Sequence, residues 1–229
     1  MDIQLNKLNR AEVLRYLGHA GAALDTLVAA QLDEAEAMIL RLARPRAIYR
    51  LFDLERAGDT LRPQGTALDL EGRDIRAHLA GADRCILLAA TLGAALDRAL
   101  HRVQVTDLAL ATILDATASA AIEQVCDRLQ RKLAALAGKE GRFLTVRFSP
   151  GYGDMPLCQQ QTFCAVLDAG KIGVGVTAHF LLTPRKSVTA ILGLCSEPVR
   201  DGPGACDLCH SADICKLRKA GTPCGKVFV

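Results

Sequence analysis

The sequence predicts an α+β fold, with helices grouped in the first part of the chain and strands concentrated in the last part. Residues 9–44 are rich in Ala, Leu, Glu and Arg, and their apolar residues recur three and four positions apart. Residues 107–137 contain neither Gly nor Pro, which predicts one long central helix. Short apolar runs follow, and the chain lacks the regular strand–helix alternation of a doubly wound parallel sheet.

The individual elements follow from their periodicity and their breaks. The first helical stretch breaks near Gly18 and Gly21 and ends before Pro45, whose ring cannot continue a helix. Further along we expect strands at 48–54, 84–90, 144–146, 171–176 and 187–194, helices at 74–79, 94–103 and 158–167, and a turn at 59–64. The long helix is expected to end at Gly138, because glycine readily adopts the left-handed cap conformation.

Composition limits the classes of function. Half of the 229 residues are hydrophobic, aromatic residues make up 4% and Trp is absent, so the core must consist of Ala, Leu, Val and Ile. The formal net charge is +3 and the basic residues are scattered among acids, which argues against a nucleic-acid partner. The N-terminus lacks a signal peptide, and the longest uncharged apolar run, 85–96, is too short to span a bilayer. We therefore expect a cytoplasmic protein without a membrane partner.

Nine cysteines in a reducing compartment indicate metal or redox chemistry rather than disulfides. Four of them form a C-x2-C-x5-C-x8-C motif near the C-terminus, namely Cys206, Cys209, Cys215 and Cys224. Thiolates at such spacing can bind one soft metal, and an iron–sulfur cluster is favoured over zinc because the paired knuckles of structural zinc sites are missing. Cys195 and His210 are further candidate ligands, and free thiols or a disordered tail are the alternatives. The remaining thiols are expected in the core: Cys85, Cys126, Cys158 and Cys164.

The segment RFSPGYGDMP, residues 147–156, is the main candidate for contact with a ligand. Arg147 follows a short apolar run, and residues 149–153 can form neither a helix nor a regular strand, because Pro fixes φ and each Gly permits positive φ. Loops of this type often carry function. The alternative is a tight turn with a surface arginine.

The long helix contains a second feature, the small-residue patch ATASAA at 116–121. Small side chains allow a ligand or another backbone to come close. Glu123 and Asp127 follow within two turns, and a solvated helix face is the alternative explanation for both acids.

The loop Arg147-Phe148-Ser149-Pro150-Gly151-Tyr152 resembles the Arg-x-x-Pro-Gly-Tyr loop of the S-adenosylmethionine-binding activation domain of cobalamin-dependent methionine synthase. Two downstream segments, Lys171-Ile172-Gly173 and Ser187-Val188, resemble further stretches of that family. The resemblance covers about residues 75–195 and implies a twisted antiparallel sheet flanked by helices. Together with the periodicity and the change of composition near Cys195, it predicts three regions: a helical N-terminal region at 1–75 that packs on the main domain, the binding core at 76–195, and the irregular cysteine-rich, candidate metal-binding tail at 196–229, which departs from the family.

The resemblance further implies roles for single residues. Arg147 would anchor the carboxylate of S-adenosylmethionine, for which a guanidinium fork is suited. Ser149, Gly151 and Tyr152, with Pro150 in the same loop, would line the adenosyl and methionyl groups. Glu123 would match the family's acid near the ligand's ammonium group. No residue is assigned a catalytic role, because the sulfonium is already an activated methyl donor and positioning is the main contribution.

These implications predict a stand-alone activation protein of the methionine synthase system, which serves methionine biosynthesis. It would bind S-adenosylmethionine and support the reductive remethylation of cobalamin. The cobalamin would be carried by a partner methionine synthase or corrinoid methyltransferase, and an electron donor such as flavodoxin or ferredoxin would supply the electron. The alternatives are a non-enzymatic docking module for a corrinoid protein and an iron–sulfur redox protein.

Overall fold

The computed structural model describes residues 1, 3–19, 23–58, 60–198, 213–214 and 219. The chain divides into two compact units, each built from three separate stretches. Unit 1 comprises Met1–Ile48, Ala89–Lys132 and Ala169–Val188, and unit 2 comprises Tyr49–Leu88, Leu133–Asp168 and Thr189–Val229. The region boundaries expected from the sequence, at residues 75 and 195, stay a prediction.

Six helices and seven strands lie within the described residues. The helices are α1 (Arg10–Tyr16), α2 (Thr26–Leu42), α3 (Arg73–His78), α4 (Ala94–Thr106), α5 (Leu108–Lys139) and α6 (Gln159–Leu167), followed by a 3-10 turn at Ala169–Ile172. The strands are β1 (Arg46–Ala57), β2 (Thr60–Pro63), β3 (Ala82–Thr91), β4 (Phe143–Leu144), β5 (Gly175–Val176), β6 (Leu182–Thr183) and β7 (Ser187–Cys195).

Five strands form an antiparallel sheet in the order β2-β1-β3-β7-β4, and β5 pairs with β6 in a separate two-stranded sheet. The predicted α+β class, with N-terminal helices, a long central helix and an antiparallel sheet, is therefore confirmed. The central strands β3 and β7 are almost entirely buried, which explains their continuous apolar sequences.

In unit 1, α1, α2 and α5 begin where the sequence supplies capping side chains. Asn9 accepts a hydrogen bond from the Glu12 N–H, Asp25 accepts one from Leu27, and Asp107 accepts one from Leu110. The apolar stripe of α5 is buried as its spacing predicts, at Leu110, Leu114, Ala118, Ile122, Val125 and Leu129. Among the described residues α5 is also the one helix long and apolar enough to cross a membrane, but 61% of its most apolar window is buried inside the protein, as in a core helix.

The predicted end of α5 at Gly138 is wrong by one turn. The helix runs through Lys139, and Gly141 adopts the left-handed conformation with φ 67°. The Arg142 N–H bonds the Ala137 carbonyl and the Gly141 N–H bonds the Gly138 carbonyl. These two bonds form a Schellman motif with Gly141 just past the helix, so the second of two glycines is the cap.

Two other local predictions are also corrected. The turn expected at 59–64 contains β2, which pairs with Leu54–Ala57 of β1 and buries Leu61. The strand expected at 171–176 is a 3-10 turn at its start, and only Gly175–Val176 is extended. In both places turn-forming residues directly adjoin very short strands, and pairing partners distant in sequence decide the boundary.

Candidate functional site

The candidate loop of unit 2 leaves the sheet through an irregular strand. Phe143 and Leu144 pair with Cys195 and Leu194 of β7, but the next paired residue, Phe148, lies opposite Ile191. Four residues on one strand thus match three on the other, as in a β-bulge. The hydroxyl of Thr145 fills the gap, because it accepts the Gly193 N–H at 2.8 Å. The predicted strand at 144–146 therefore stops at Leu144.

The bulge changes which side chains are buried near the loop. Val146 is half exposed, Arg147 is partly buried, and Phe148 is buried. Phe148 exchanges both backbone hydrogen bonds with Ile191, at 3.0 and 2.7 Å. Its ring lies 5.2 Å from the His78 ring and 6.3 Å from the Tyr152 ring. Phe148 therefore anchors the loop and places Arg147 directly before a fixed point of the backbone.

His78 closes the inner side of this anchor. Its Nε2 lies 3.0 Å from the Val146 carbonyl oxygen and 2.9 Å from the Thr145 Oγ1. Burial lowers the pKa of His78, and the hydrogen bond to Val146 opposes that effect. The imidazole is thus held neutral, which suits a group packed against an aromatic ring.

The turn after the anchor is held by backbone hydrogen bonds. Tyr152 donates its N–H to the Ser149 carbonyl, Gly151 donates to Met155, and Met155 donates to Tyr152, each at 3.0 Å. The Ser149 hydroxyl donates to the Thr189 carbonyl at 2.7 Å. Gly151 has φ 90° and Gly153 has φ 51°, values that side chains other than glycine rarely adopt. The loop is therefore a defined turn.

Asp154 ties the far end of the loop to α3. Its carboxylate accepts the N–H groups of Arg73 at 2.8 Å and Asp74 at 3.0 Å, and its own N–H donates to Asp74 Oδ2 at 3.2 Å. The backbone N–H groups of Asp74 and Arg73 lower the pKa of Asp154. Sequence reasoning missed this reciprocal cap, although Gly72 at the start of α3 has no capping side chain of its own.

The structure separates the predicted ligand-binding residues by exposure and by unit. In the loop, Gly151 is exposed and Tyr152 is 60% exposed, whereas Pro150 is buried and the Ser149 hydroxyl already donates within the fold. The loop can thus present a glycine backbone, an aromatic face and the partly buried Arg147. Glu123 belongs to unit 1, where it is partly buried on α5.

The predicted metal ligands Cys206, Cys209, Cys215 and Cys224, together with His210, lie outside the described residues. Within the residues that are described, no group of three or more His, Cys, Asp or Glu side chains could hold a metal ion. Cys195 is buried at the end of β7, and burial raises its pKa, so its metal-free thiol is protonated at neutral pH.

The expected core cysteines are mostly confirmed. Cys85, Cys126 and Cys164 are buried, and burial raises the pKa of Cys85 to about 12. Cys158 is exposed and lies at the N-cap position of α6. The prediction that it belongs to the core is therefore wrong.

Fold and loop together define an α+β domain that carries an anchored Arg-x-x-Pro-Gly-Tyr turn. The chain matches the crystal structure of the MetH reactivation domain bound to AdoHcy with a TM-score of 0.67 and 16% sequence identity. The match covers 96% of this chain and 85% of that chain. No family model and no curated protein matches the sequence. The likeness is one of fold, and it confirms the resemblance first indicated by the loop.

Proposed function

We propose that this chain binds S-adenosylmethionine at the loop 147–152 and supports the reductive remethylation of cobalamin held by a partner methionine synthase or corrinoid methyltransferase. One observation carries the proposal: the Arg-x-x-Pro-Gly-Tyr motif is an anchored, solvent-facing turn on the fold of the MetH reactivation domain. That domain was solved with AdoHcy, which is S-adenosylmethionine without its transferable methyl group.

The loop fits such a ligand in three respects. Gly151 has no side chain and is exposed, so a ligand can approach the backbone closely. The exposed ring of Tyr152 offers a face to an adenine ring or to a sulfonium cation. Arg147 supplies a guanidinium next to the fixed Phe148, and a guanidinium is suited to a carboxylate.

The proposed division of labour leaves the chemistry to the cofactors. The partner's cobalamin would supply the cobalt, and an electron from flavodoxin or ferredoxin would reduce it. The reduced cobalt would accept the methyl group of S-adenosylmethionine, and S-adenosylhomocysteine would be the product. This chain holds and orients the methyl donor. We also propose that the cysteine-rich tail holds an iron–sulfur cluster or a zinc ion. A cluster there could relay the electron to the cobalt. We expect the protein to be cytoplasmic.

Calorimetry with S-adenosylmethionine tests the binding step. We expect wild type to bind and Arg147→Ala to bind at least about tenfold more weakly, since a hydrogen bond to a charged group contributes about 1.5–3 kcal/mol. Lys139→Ala is the control, because it removes an exposed positive charge of the same unit in the last turn of α5, outside the loop. The control should bind like wild type.

Two results would contradict the binding step, and a third would exclude one role of the tail. If wild type shows no binding even with a corrinoid methyltransferase present, the docking module becomes the better explanation. If Lys139→Ala weakens binding as much as Arg147→Ala, the effect is one of general charge. A colourless, anaerobically purified protein that contains one zinc would exclude electron relay by the tail.

A further inference from the structure

A groove of about 460 Å³ lies in unit 1, and none of its lining residues belongs to the candidate loop 147–152. Its floor is one face of α5 between Leu108 and Ser119, at spacings of three and four residues. That face includes Ala111 and Ala116, whose small side chains leave space above about 16 Å of the helix. The volume falls within the range of about 300–1,000 Å³ typical of small-molecule sites.

One end of the groove contains a carboxylate held in a fixed orientation. The ammonium group of Lys186, whose side chain is 11% exposed, lies 2.9 Å from Asp115 Oδ1. The same ammonium donates to the Ser119 hydroxyl at 2.9 Å. A largely buried ion pair contributes little to stability by itself. Here it holds the carboxylate that lines the groove, and a carboxylate accepts hydrogen bonds from hydroxyl groups.

An arginine of the same groove has a fixed backbone and an uncommitted side chain. The Arg185 N–H donates to Asp97 Oδ2 at 2.6 Å, which holds the backbone in place. Its guanidinium is exposed and forms no hydrogen bond or ion pair with any residue that the structure describes. A planar fork of this kind matches phosphate and carboxylate groups.

Three apolar or aromatic side chains also line the groove and are at least partly open to solvent. Leu108 is 72% exposed, and the ring of Tyr16, which is 42% exposed, lines the same groove with Leu17. A planar heterocycle that covered these side chains would remove apolar surface from water. The groove therefore offers, along one helix face, an apolar platform, a fixed acceptor and a cation.

We propose that this groove binds a ribonucleoside that carries an anionic group, such as a nucleoside monophosphate. The base packs on Tyr16, the sugar diol donates to Asp115, and the anionic group pairs with Arg185. An acidic residue that accepts sugar hydroxyls is the arrangement used in dinucleotide-binding folds. Lys186 is a positioning residue, because it acts on the ligand through Asp115.

Adenosine 5′-monophosphate and adenosine separate these contributions in calorimetry. We expect wild type to bind the monophosphate about tenfold more tightly than adenosine, and Arg185→Ala to abolish this preference without changing adenosine affinity. Asp115→Asn should weaken adenosine about tenfold and leave 2′,3′-dideoxyadenosine unchanged, since that probe lacks the diol. Arg98→Ala, an exposed arginine on α4 outside the groove, is the control and should retain the preference.

The outcomes also separate this inference from the proposed function. Adenosine monophosphate lacks the methionyl carboxylate assigned to Arg147, so Arg147→Ala should bind it like wild type. Absence of adenosine monophosphate binding to wild type at about millimolar concentration overturns the groove inference, whatever S-adenosylmethionine does. Equal losses in Arg98→Ala and Arg185→Ala, or equal effects of Asp115→Asn on adenosine and its dideoxy analogue, overturn it as well.

Discussion

The loop of unit 2 and the groove of unit 1 are built in opposite ways. In the loop, backbone hydrogen bonds and the Ser149 and Asp154 side chains are used by the fold, which leaves a shaped turn with Gly151 and Tyr152 outside. In the groove, regular helix supplies the backbone, and the side chains supply the chemistry. The loop would recognise a ligand mainly through the shape of its backbone, whereas the groove would recognise one through its side chains.

This difference determines how each region responds to substitution. A substitution that alters the backbone of the loop should lower the stability of the fold as well as ligand affinity, because the same hydrogen bonds hold the turn and α3. A change on the exposed face of α5 can remove a ligand contact while the helix stays intact. Unfolding and binding measurements should therefore diverge between the two regions.

The largest expected effect concerns Gly153. A Cβ at this position would overlap Asp74 Oδ2, and φ 51° is strained for alanine. Gly153→Ala should therefore displace Asp74 and weaken its contact with Asp154, and we expect a loss of about 2–3 kcal/mol in the free energy of unfolding, measured by urea denaturation.

Gly138→Ala provides the matched control for that loss. Gly138 lies inside α5, and a Cβ there would meet nothing within 4 Å. Because alanine favours helix over glycine, this variant should gain about 0.5–1 kcal/mol. If Gly153→Ala were as stable as wild type, the turn would not depend on its backbone shape, and the contrast between loop and groove would fail.

A smaller loss is expected at Lys186, which supports the groove. Lys186→Ala removes the cation beside Asp115 Oδ1, an oxygen that is buried and has no hydrogen bond of good geometry. We expect a loss of about 1–2 kcal/mol in unfolding free energy, less than for a fully buried pair because the Asp115 side chain is 39% exposed.

The double variant Asp115→Asn with Lys186→Met tests the cause of that loss. It removes both charges and retains similar volume, so it should be closer in stability to wild type than Lys186→Ala. If the double variant loses as much as the two single losses added together, the two side chains act independently. The carboxylate would then not be positioned by the lysine.

The sequence allowed the loop to be predicted because its signals are local. Pro150, Gly151 and Gly153 specify a turn whatever surrounds them, and the apolar stripe of α5 repeats for several turns without a break. The fold class followed from the same local evidence, since a long helix and apolar strands can be recognised one by one.

The parts that sequence reasoning missed depend on partners far apart in the chain. The bulge before Arg147 exists because the Thr145 hydroxyl bonds the Gly193 N–H, a pair separated by 48 residues. The groove brings Tyr16 and Arg185 to α5 from opposite ends of the chain. Only the small-residue patch at 116–121 gave a local hint of it, and that patch alone could not indicate the charged groups.

The smallest expected effect is a change in pH dependence at Asp154. Hydrogen bonds from the Asp74 and Arg73 N–H groups lower its pKa below the usual 3.8, so the carboxylate stabilises the folded state fully above that pH. The contribution is lost as the pH falls from 3.8 through the lowered folded-state pKa.

Asp154→Asn tests this contribution, because the amide keeps an oxygen acceptor for the cap but does not titrate. Its melting temperature should therefore fall less than that of wild type between about pH 5 and pH 2. Asp83, whose pKa is lowered by its hydrogen bonds with Arg142, contributes equally to both proteins and cancels in the difference. Identical acid dependence in the two proteins would mean that the carboxylate charge does not hold the loop to α3, and that the backbone alone defines the turn.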